Sequence, residues 1–343
     1  MSATPFVHNL QAGPVGLKVG KAWHDANAAN YVSMTDIPIV TVPGQKALTK
    51  GSGTYTIEKL GSIIHRTHND PSYQIGDDPP APAGREKEDI TYATDGKHGI
   101  PDPWPLETPS DGQHAREYWE SYAEIDGQMR SRAYSRREAA LVAHLVSATY
   151  GQETFTGTEP IGDRDVTGDQ QVWRDIKTQL RPIFKWARPG LSKVGFIDQA
   201  LLDALTTNMD LVGGLIGSAV PNVVTEETVL TLLRAHLGLD KIKRVQALVN
   251  TAGVGATDAV DYVSTTGMLW LGLLDSRMKF DFRGGATVGP DGAFACAQAS
   301  SPWVKTWEPP GRETKLYADR DEFGYYSIRG GDFGVCFTQN ITT

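Results

Sequence analysis

The first hundred residues of this 343-residue chain are interrupted repeatedly by proline and glycine, and they show almost no helical periodicity. The apolar stretch Ile37–Val42, for example, contains Pro38. Because proline removes a donor from a strand ladder, this stretch is predicted to be an edge strand or an extended arm. We expect no helix before Gly53. Long segments without regular structure are uncommon in a compact monomer, so their apolar side chains are expected to bury against a neighbouring subunit.

The next segment is predicted to begin as a strand and to continue as a loop. Thr54–Ile64 has Tyr55 and Ile57 on one strand face, and a short amphipathic piece follows. Asn69–Glu88 is predicted to be irregular, because it is rich in acidic residues, proline and glycine. Another extended stretch is expected from Ile90 to Pro109.

Helical periodicity begins after residue 111. His114–Tyr150 is predicted to be the longest helix, and Gly127 is a possible break in it. Gln170–Arg188 is predicted to be a second helix, kinked or interrupted at Pro182. The apolar residues that set the first periodicity are Tyr118, Tyr122, Ile125, Met129, Ala139, Val142, Ala143 and Val146.

The remainder of the chain mixes short helices with strands. Asp198 is predicted to cap a helix that ends near Asn208. Thr225 is predicted to start another helix, which Gly238 ends. Strands are predicted at Lys193–Ile197, Ile242–Val249, Met268–Leu274 and, as a paired set, Trp303–Phe337. The mixture predicts an α+β fold.

Composition narrows the range of functions. The formal net charge is −8, which disfavours a general nucleic-acid-binding protein, since such a protein needs a basic stripe to displace counterions, but does not exclude a container for nucleic acid. The only two cysteines, Cys296 and Cys336, cannot form a disulfide framework and are predicted to stay reduced. No apolar run approaches the roughly 20 residues that a membrane helix needs, and the first residues lack the pattern of a signal peptide. A cytoplasmic product is therefore expected.

The sequence offers little catalytic chemistry. His65 and His68 have the spacing of one helix face, but no glutamate stands where a zinc hydrolase needs its base. No Gly-x-Ser-x-Gly motif and no phosphate-binding loop occur. Gly253-Val254-Gly255 and Gly284-Gly285 are interpreted as turns. We therefore predict no catalytic residue, no cofactor and no metal site, and hence no enzyme.

Four arginines cluster on the longest predicted helix. The simpler interpretation is a solvated helix face. The alternative is a charged contact with acidic neighbours or packaged nucleic acid. The residues are Arg130, Arg132, Arg136 and Arg137.

Three stretches of sequence carry a resemblance to a known family. Tyr92–Ile100 resembles a segment that leads into a spine helix. Lys193–Leu205 resembles a strand-to-helix entry, and Val223–Ala252 a helix, a strand and an Asn-Thr-Ala loop. Together with the order of arm, proline-rich loop and long helix, they resemble the major capsid proteins of tailed bacteriophages, with the Hong Kong 97-like capsid fold. The resemblance covers Tyr92 to the C-terminus.

The resemblance implies that the chain is divided into four parts. The first two would be an N-terminal arm at 1–50 and an extended loop, the E-loop, at 51–88. A peripheral P-domain would span 89–190, with its spine helix at about 114–150 and strands from about 300–328. A central A-domain would span 191–299, with a terminal strand at about 329–343. The E-loop is expected to contact neighbouring subunits through Tyr55, Ile57, Leu60, Ile63, Ile64, Tyr73 and Ile75.

The resemblance also implies function and partners. The chain would assemble with itself, as hexamers and pentamers, into an icosahedral virion shell around double-stranded DNA, in the host cytoplasm. Portal and scaffolding proteins are expected partners, a decoration protein is possible, and no membrane is involved. Two alternatives stay open: an encapsulin-type compartment around a cargo protein, and a soluble metal-dependent hydrolase that uses His65 and His68.

Overall fold

A computed structural model gives the fold of this chain. The residues it describes are 28, 30–40, 52–63, 86–94, 97–99, 104–107, 131–147, 149–154, 170–207, 224–252, 257–264, 267–275, 281–283, 286–307 and 314–338. None of the helices in these ranges is long and apolar enough to cross a membrane.

A five-stranded sheet is the centre of the larger hydrophobic core. Its middle strand, Met268–Asp275, is buried at every residue, as expected of a strand covered on both faces. It pairs antiparallel with both neighbours, and each neighbour pairs parallel with an outer strand. In spatial order the strands are β6 (Gly151–Thr154), β16 (Gly334–Thr338), β11 (Met268–Asp275), β7 (Leu191–Asp198) and β8 (Lys241–Val245).

Two of the three helices that contribute to this core begin and end where the sequence predicts. Asp198 accepts a hydrogen bond from the backbone N of Leu201 at 2.9 Å, so it caps the helix that follows. Thr225 accepts one from the N of Thr228 at 3.3 Å, and Gly238 ends that helix with φ of 65°. The helices are α4 (Gln170–Phe184), α5 (Gln199–Thr207) and α6 (Glu226–Leu237).

A second sheet contains the two longest strands. They are β14 (Phe294–Trp307) and β15 (Thr314–Ser327), and they pair antiparallel with register shifts between Gln298 and Trp303. The predicted edge strand is confirmed, because β1 (Ile39–Val40) pairs parallel with β14 at the edge of this sheet. Two short strands pair with β15, namely β4 (Lys97–Gly99) and β5 (Trp104–Glu107).

A third sheet contains a long-range pair of strands and two short ones. Strands β2 (Ser52–Glu58) and β3 (Lys87–Ala93) pair antiparallel along their whole length, and we call this pair the E-loop base. The short strands are β12 (Asp281–Arg283) and β13 (Ala286–Val288), of which β13 pairs parallel with β2. A separate hairpin consists of β9 (Leu248–Asn250) and β10 (Val260–Tyr262).

Several sequence expectations need correction in detail. The predicted strand Ile242–Val249 is two strands, β8 and β9, separated by two residues. A four-residue helix, α1 (Val32–Thr35), lies before Gly53, where no helix was expected. The predicted irregular stretch to Glu88 ends earlier, because β3 begins at Lys87. Helix α4 ends at Phe184, two residues after Pro182, and the predicted helix to Arg188 is too long. Another short helix, α2, follows β2 at Leu60–Ile63.

The longest predicted helix is described only in part. Helix α3 covers 131–145, which lies inside the predicted span of 114–150. Residues 114–130 lie outside the described residues.

Candidate functional site

The E-loop base is held to the rest of the chain by a small second core. Tyr55 and Ile57 are 2% and 3% exposed, and they belong to one hydrophobic cluster with residues of strands β1, β3, β14 and β15. Alternate residues of β2 therefore face inward, as the strand period requires. The other members of this core are Val40, Tyr92, Ala295, Ala297 and Tyr326.

Two tyrosine hydroxyl groups inside the second core form hydrogen bonds. The hydroxyl of Tyr55 donates to the backbone O of Pro290 at 2.9 Å. The hydroxyl of Tyr326 donates to that of Tyr55 at 3.3 Å. Burial raises the pKa of the Tyr55 phenol above its ordinary value. Both phenols therefore stay neutral. Their hydrogen bonds orient the two rings within the core and do not provide acid–base chemistry.

Arg329 joins the E-loop base to the strands of the core. Its Nε donates to Asp291 Oδ1 at 2.5 Å and its second nitrogen to Glu88 Oε1 at 2.8 Å. Its third nitrogen donates to the backbone O of Glu58 at 2.5 Å. Arg188 also pairs with Asp291. Glu58 is the last residue of β2 and Glu88 the second residue of β3, so a single guanidinium group contacts both strands at the same end of the E-loop base.

The residues predicted to contact a neighbouring subunit fall into three groups. Tyr55 and Ile57 are buried within the chain itself, so little of their surface is left for a neighbour. Leu60 is partly buried and packs against the larger core, and Ile63 lies in helix α2. Ile64, Tyr73 and Ile75 lie outside the described residues. For all seven residues, contact with another subunit stays a prediction.

The arginine cluster divides in the same way. Arg132 is exposed and Arg136 is half-buried. Arg137 is fully buried and pairs with Asp321, so it belongs neither to a solvated face nor to a DNA-facing surface. Arg130 lies outside the described residues.

Hairpin β9–β10 presents an apolar surface that the sequence analysis missed. Leu248 is 52% exposed and Val260 is 59% exposed. Tyr262 stands directly opposite Leu248 on the same face of the hairpin. Val260-Asp261-Tyr262 has the alternation of a half-buried strand, and this signal could have identified β10.

The histidines and cysteines form no reactive centre that the structure describes. His65 and His68 lie outside the described residues. Among the residues that are described, no cluster of metal-binding side chains occurs. Cys296 and Cys336 are both buried and free. Burial raises the pKa of the Cys336 thiol to about 12, which keeps this thiol protonated.

Comparison with known proteins relates this fold to phage proteins. No protein-family model matches the sequence, and no curated protein matches it. The crystal structure of a phage-related protein from Bordetella bronchiseptica RB50 is similar, with a TM-score of 0.54 and 13% identity. The match covers 92% of this chain and 95% of that one.

The two proteins share a fold. Other similar structures have lower TM-scores: the virus-like particle from Pyrococcus furiosus at 0.49, and the mature capsid of bacteriophage PhiM1 at 0.47. Their identities are 8% and 9%, over 93% and 92% of this chain, and over 97% and 88% of theirs. The predicted α+β fold class is confirmed, and the fold is one that the phage-related protein shares. The predicted domain boundaries stay a prediction.

Proposed function

We propose that this chain is a structural shell subunit, a major capsid protein of the tailed-phage type. It assembles with copies of itself into an icosahedral head that encloses double-stranded DNA. The observation that carries this proposal is the fold that it shares with the phage-related protein along 92% of its length. The order of arm, proline-rich loop and long helix in the sequence supports the same function.

The E-loop base supports a role in contacts between subunits. The backbone N of Lys59 donates to the O of Glu86 at 3.0 Å, so the chain positions just before α2 and just before β3 are adjacent. Residues 64–85 between these points carry Ile64, Tyr73 and Ile75. Each large apolar side chain that becomes fully buried between subunits contributes about 1.5–3 kcal/mol before entropy is subtracted. We assign these three residues to an intersubunit contact.

Two arginines of helix α3 are the charged contacts in this proposal. Arg132 and Arg136 would face acidic groups of a neighbour or the phosphates of packaged DNA. Packaged DNA would be enclosed without sequence-specific binding, and the net charge of −8 would repel its phosphates and keep it mobile. We further propose that hexamers and pentamers form in the host cytoplasm, with portal and scaffolding proteins as partners. The chain itself then performs no catalysis.

Electron microscopy of the purified full-length chain tests the proposal directly. The chain is expressed alone and together with candidate scaffolding and portal proteins, and particles are examined by negative staining. Closed shells or rings are expected, and nuclease-resistant DNA should be recovered from complete heads. A strictly monomeric species under all of these conditions contradicts the proposal.

The contents of the particles distinguish the alternatives. Shells that contain a cargo enzyme and no DNA indicate a compartment and contradict a capsid function. Metal analysis of protein purified without chelator addresses the hydrolase, since stoichiometric zinc with no particle formation would support that alternative.

A further inference from the structure

Residues 30–40, which we call the strap, touch three separate parts of the fold. Near its start, the side chain of Gln246 donates to the backbone O of Asn30 at 3.5 Å. Asp36 lies 3.5 Å from Lys241 Nζ on the edge strand β8. At its end, strand β1 pairs with β14 in the second sheet. The strap therefore connects the edges of two sheets.

The middle of the strap docks on helix α3. The backbone N of Ser33 donates to Glu138 Oε2 at 2.9 Å, and both residues are at most 1% exposed. The Tyr31 hydroxyl lies 3.1 Å from Ser131 Oγ, and the Tyr31 and Tyr134 rings are 5.3 Å apart. The carboxyl group of Glu138 is thus enclosed between the strap and the helix.

The charges around Glu138 do not neutralise it. Among the described residues, no lysine or arginine forms an ion pair with this carboxyl group. The neighbouring Arg137 is paired with Asp321, and Tyr325 faces the same space from β15. Asp36 faces Glu138 from the strap, and the ammonium groups of Lys241 and Lys243 lie on the β8 side of Asp36.

Burial and charge act on this carboxyl group in the same direction. Burial is the largest influence, and it raises the pKa of Glu138 above its ordinary value because an ion without a counter-ion is costly there. Asp36 raises the pKa further, while the hydrogen bonds from Ser33 and Val32 oppose the rise.

We propose that Glu138 is a proton-dependent latch: the neutral carboxyl group holds the strap against helix α3, and its ionisation releases the strap. Release would free the edge strand β8 from its link to α3 and β14. The latch is a property of the single subunit, so its test does not depend on whether the chain assembles into a shell.

The direction of the pH dependence follows from linkage. The docked strap binds the Glu138 proton more tightly than the released strap, in which the carboxyl group has its ordinary pKa of about 4.3. Docking is therefore strongest below that value. As the pH rises from there to the raised pKa, the docking equilibrium falls by up to about tenfold per pH unit, and above it the equilibrium is constant.

Hydrogen exchange measured by mass spectrometry tests the latch in the full-length chain. Exchange of peptides that cover 28–40 is followed from pH 5 to pH 8, with rates corrected for the intrinsic effect of pH. In the wild type, protection of the strap should fall as the pH rises. In Glu138→Gln, whose side chain is neutral and of the same size, protection should stay constant. The matched control Glu227→Gln, on an exposed site in α6, should behave like the wild type.

Peptides from β11 separate release of the strap from unfolding of the subunit, since they should keep their protection throughout. Constant strap protection in the wild type would overturn the proposal. Loss of strap protection in a folded Glu138→Gln protein would overturn it too, because the charge would then be what holds the strap. If Glu138→Gln fails to fold, the wild-type pH series decides alone.

Discussion

Arg137 and Asp321 form a completely buried ion pair that joins helix α3 to strand β15. Two nitrogens of the guanidinium group meet the two carboxylate oxygens, and a third donates to the side-chain O of Gln298 at 3.0 Å. The guanidinium carbon also lies 4.8 Å from the centre of the Phe323 ring. The bidentate geometry and the extra hydrogen bond compensate the cost of removing both charges from water.

Replacing one partner of this ion pair should lower the free energy of unfolding far more than replacing both partners. Arg137→Met leaves the Asp321 carboxylate buried without a partner, and we expect a loss of about 3–5 kcal/mol in the free energy of unfolding. The double variant Arg137→Met with Asp321→Leu should recover most of that loss, because no charge then remains buried. Urea denaturation measures both.

An exposed ion pair provides the matched control. Lys59 and Glu86 lie 3.7 Å apart with side chains about half exposed, so Lys59→Met should cost less than about 1 kcal/mol. Equal costs for Lys59→Met and Arg137→Met would show that the buried pair does not stabilise the fold in this way.

Arg137 also shows why part of the structure was not predictable from sequence. Helix caps are local, so Asp198, Thr225 and Gly238 could be identified from the residues beside them. The partner of Arg137 lies 184 positions away, and nothing near Arg137 in the sequence distinguishes it from the exposed Arg132. Long-range pairing decides which charge is buried.

The long-range partners of the E-loop base were not predictable for the same reason. Tyr55 and Ile57 alternate as a strand predicts, but the sequence does not reveal that the Tyr55 hydroxyl forms hydrogen bonds with Tyr326 and Pro290. These partners are 271 and 235 positions away. Similarly, Arg329 could not be connected with Glu88 before the strands were placed side by side.

Removing Arg329 should loosen the E-loop base. In Arg329→Gln, Asp291 keeps its ion pair with Arg188. We therefore expect only a moderate loss of about 2 kcal/mol in the free energy of unfolding. Amide exchange should accelerate chiefly at 52–58 and 87–93. Glu88→Gln keeps an acceptor for Arg329 and should show a smaller effect. Unchanged exchange in these two strands would contradict the role given to Arg329.

His144 should make the subunit less stable in acid. Burial lowers the pKa of its imidazole to about 4, and its Nε2 lies 2.8 Å from the Tyr150 hydroxyl. The unfolded chain takes up this proton near pH 6.5 and the folded chain does not. The contribution of neutral His144 to the free energy of unfolding is therefore fully present above about pH 6.5. It falls by up to about 1.4 kcal/mol per pH unit as the pH drops toward 4.

Urea midpoints measured between pH 4 and pH 8 check this prediction. His144→Gln should flatten the decline between pH 6.5 and pH 4, while His236→Gln keeps His144 and should retain most of it. An equally steep decline in His144→Gln would assign the acid sensitivity to other groups.

The two thiols should be unreactive in the native subunit and should not hold a shell together. Cys296 and Cys336 are buried, and the raised pKa of Cys336 keeps it protonated at neutral pH. A thiol reagent such as Ellman's reagent should label neither residue until denaturant is added, and then both. Assembly should not depend on reductant. Rapid labelling of the native protein would contradict this expectation.

The segment between α2 and β3 should be required for assembly but not for folding, and two replacements of different length test this. Replacing 51–88 by a Gly-Ser linker removes Tyr55, Ile57 and two of the residues that Arg329 contacts, Glu58 and Glu88, while Asp291 remains. That variant should be strongly destabilised, because part of the second core is lost. Replacing only 64–85 leaves the E-loop base in place, and the adjacent positions of Lys59 and Glu86 allow a short linker to close it.

The shorter replacement should therefore fold with normal helix content and nearly unchanged stability, since lengthening or shortening a loop changes its closure cost only slowly. It should not form closed shells, because it lacks Ile64, Tyr73 and Ile75. Circular dichroism and urea denaturation measure the folding, and negative-stain microscopy measures the assembly. The paired substitution Tyr73→Ser with Ile75→Ser keeps the loop length and should weaken assembly in the same direction. Closed shells from the 64–85 variant would show that subunits meet through other surfaces.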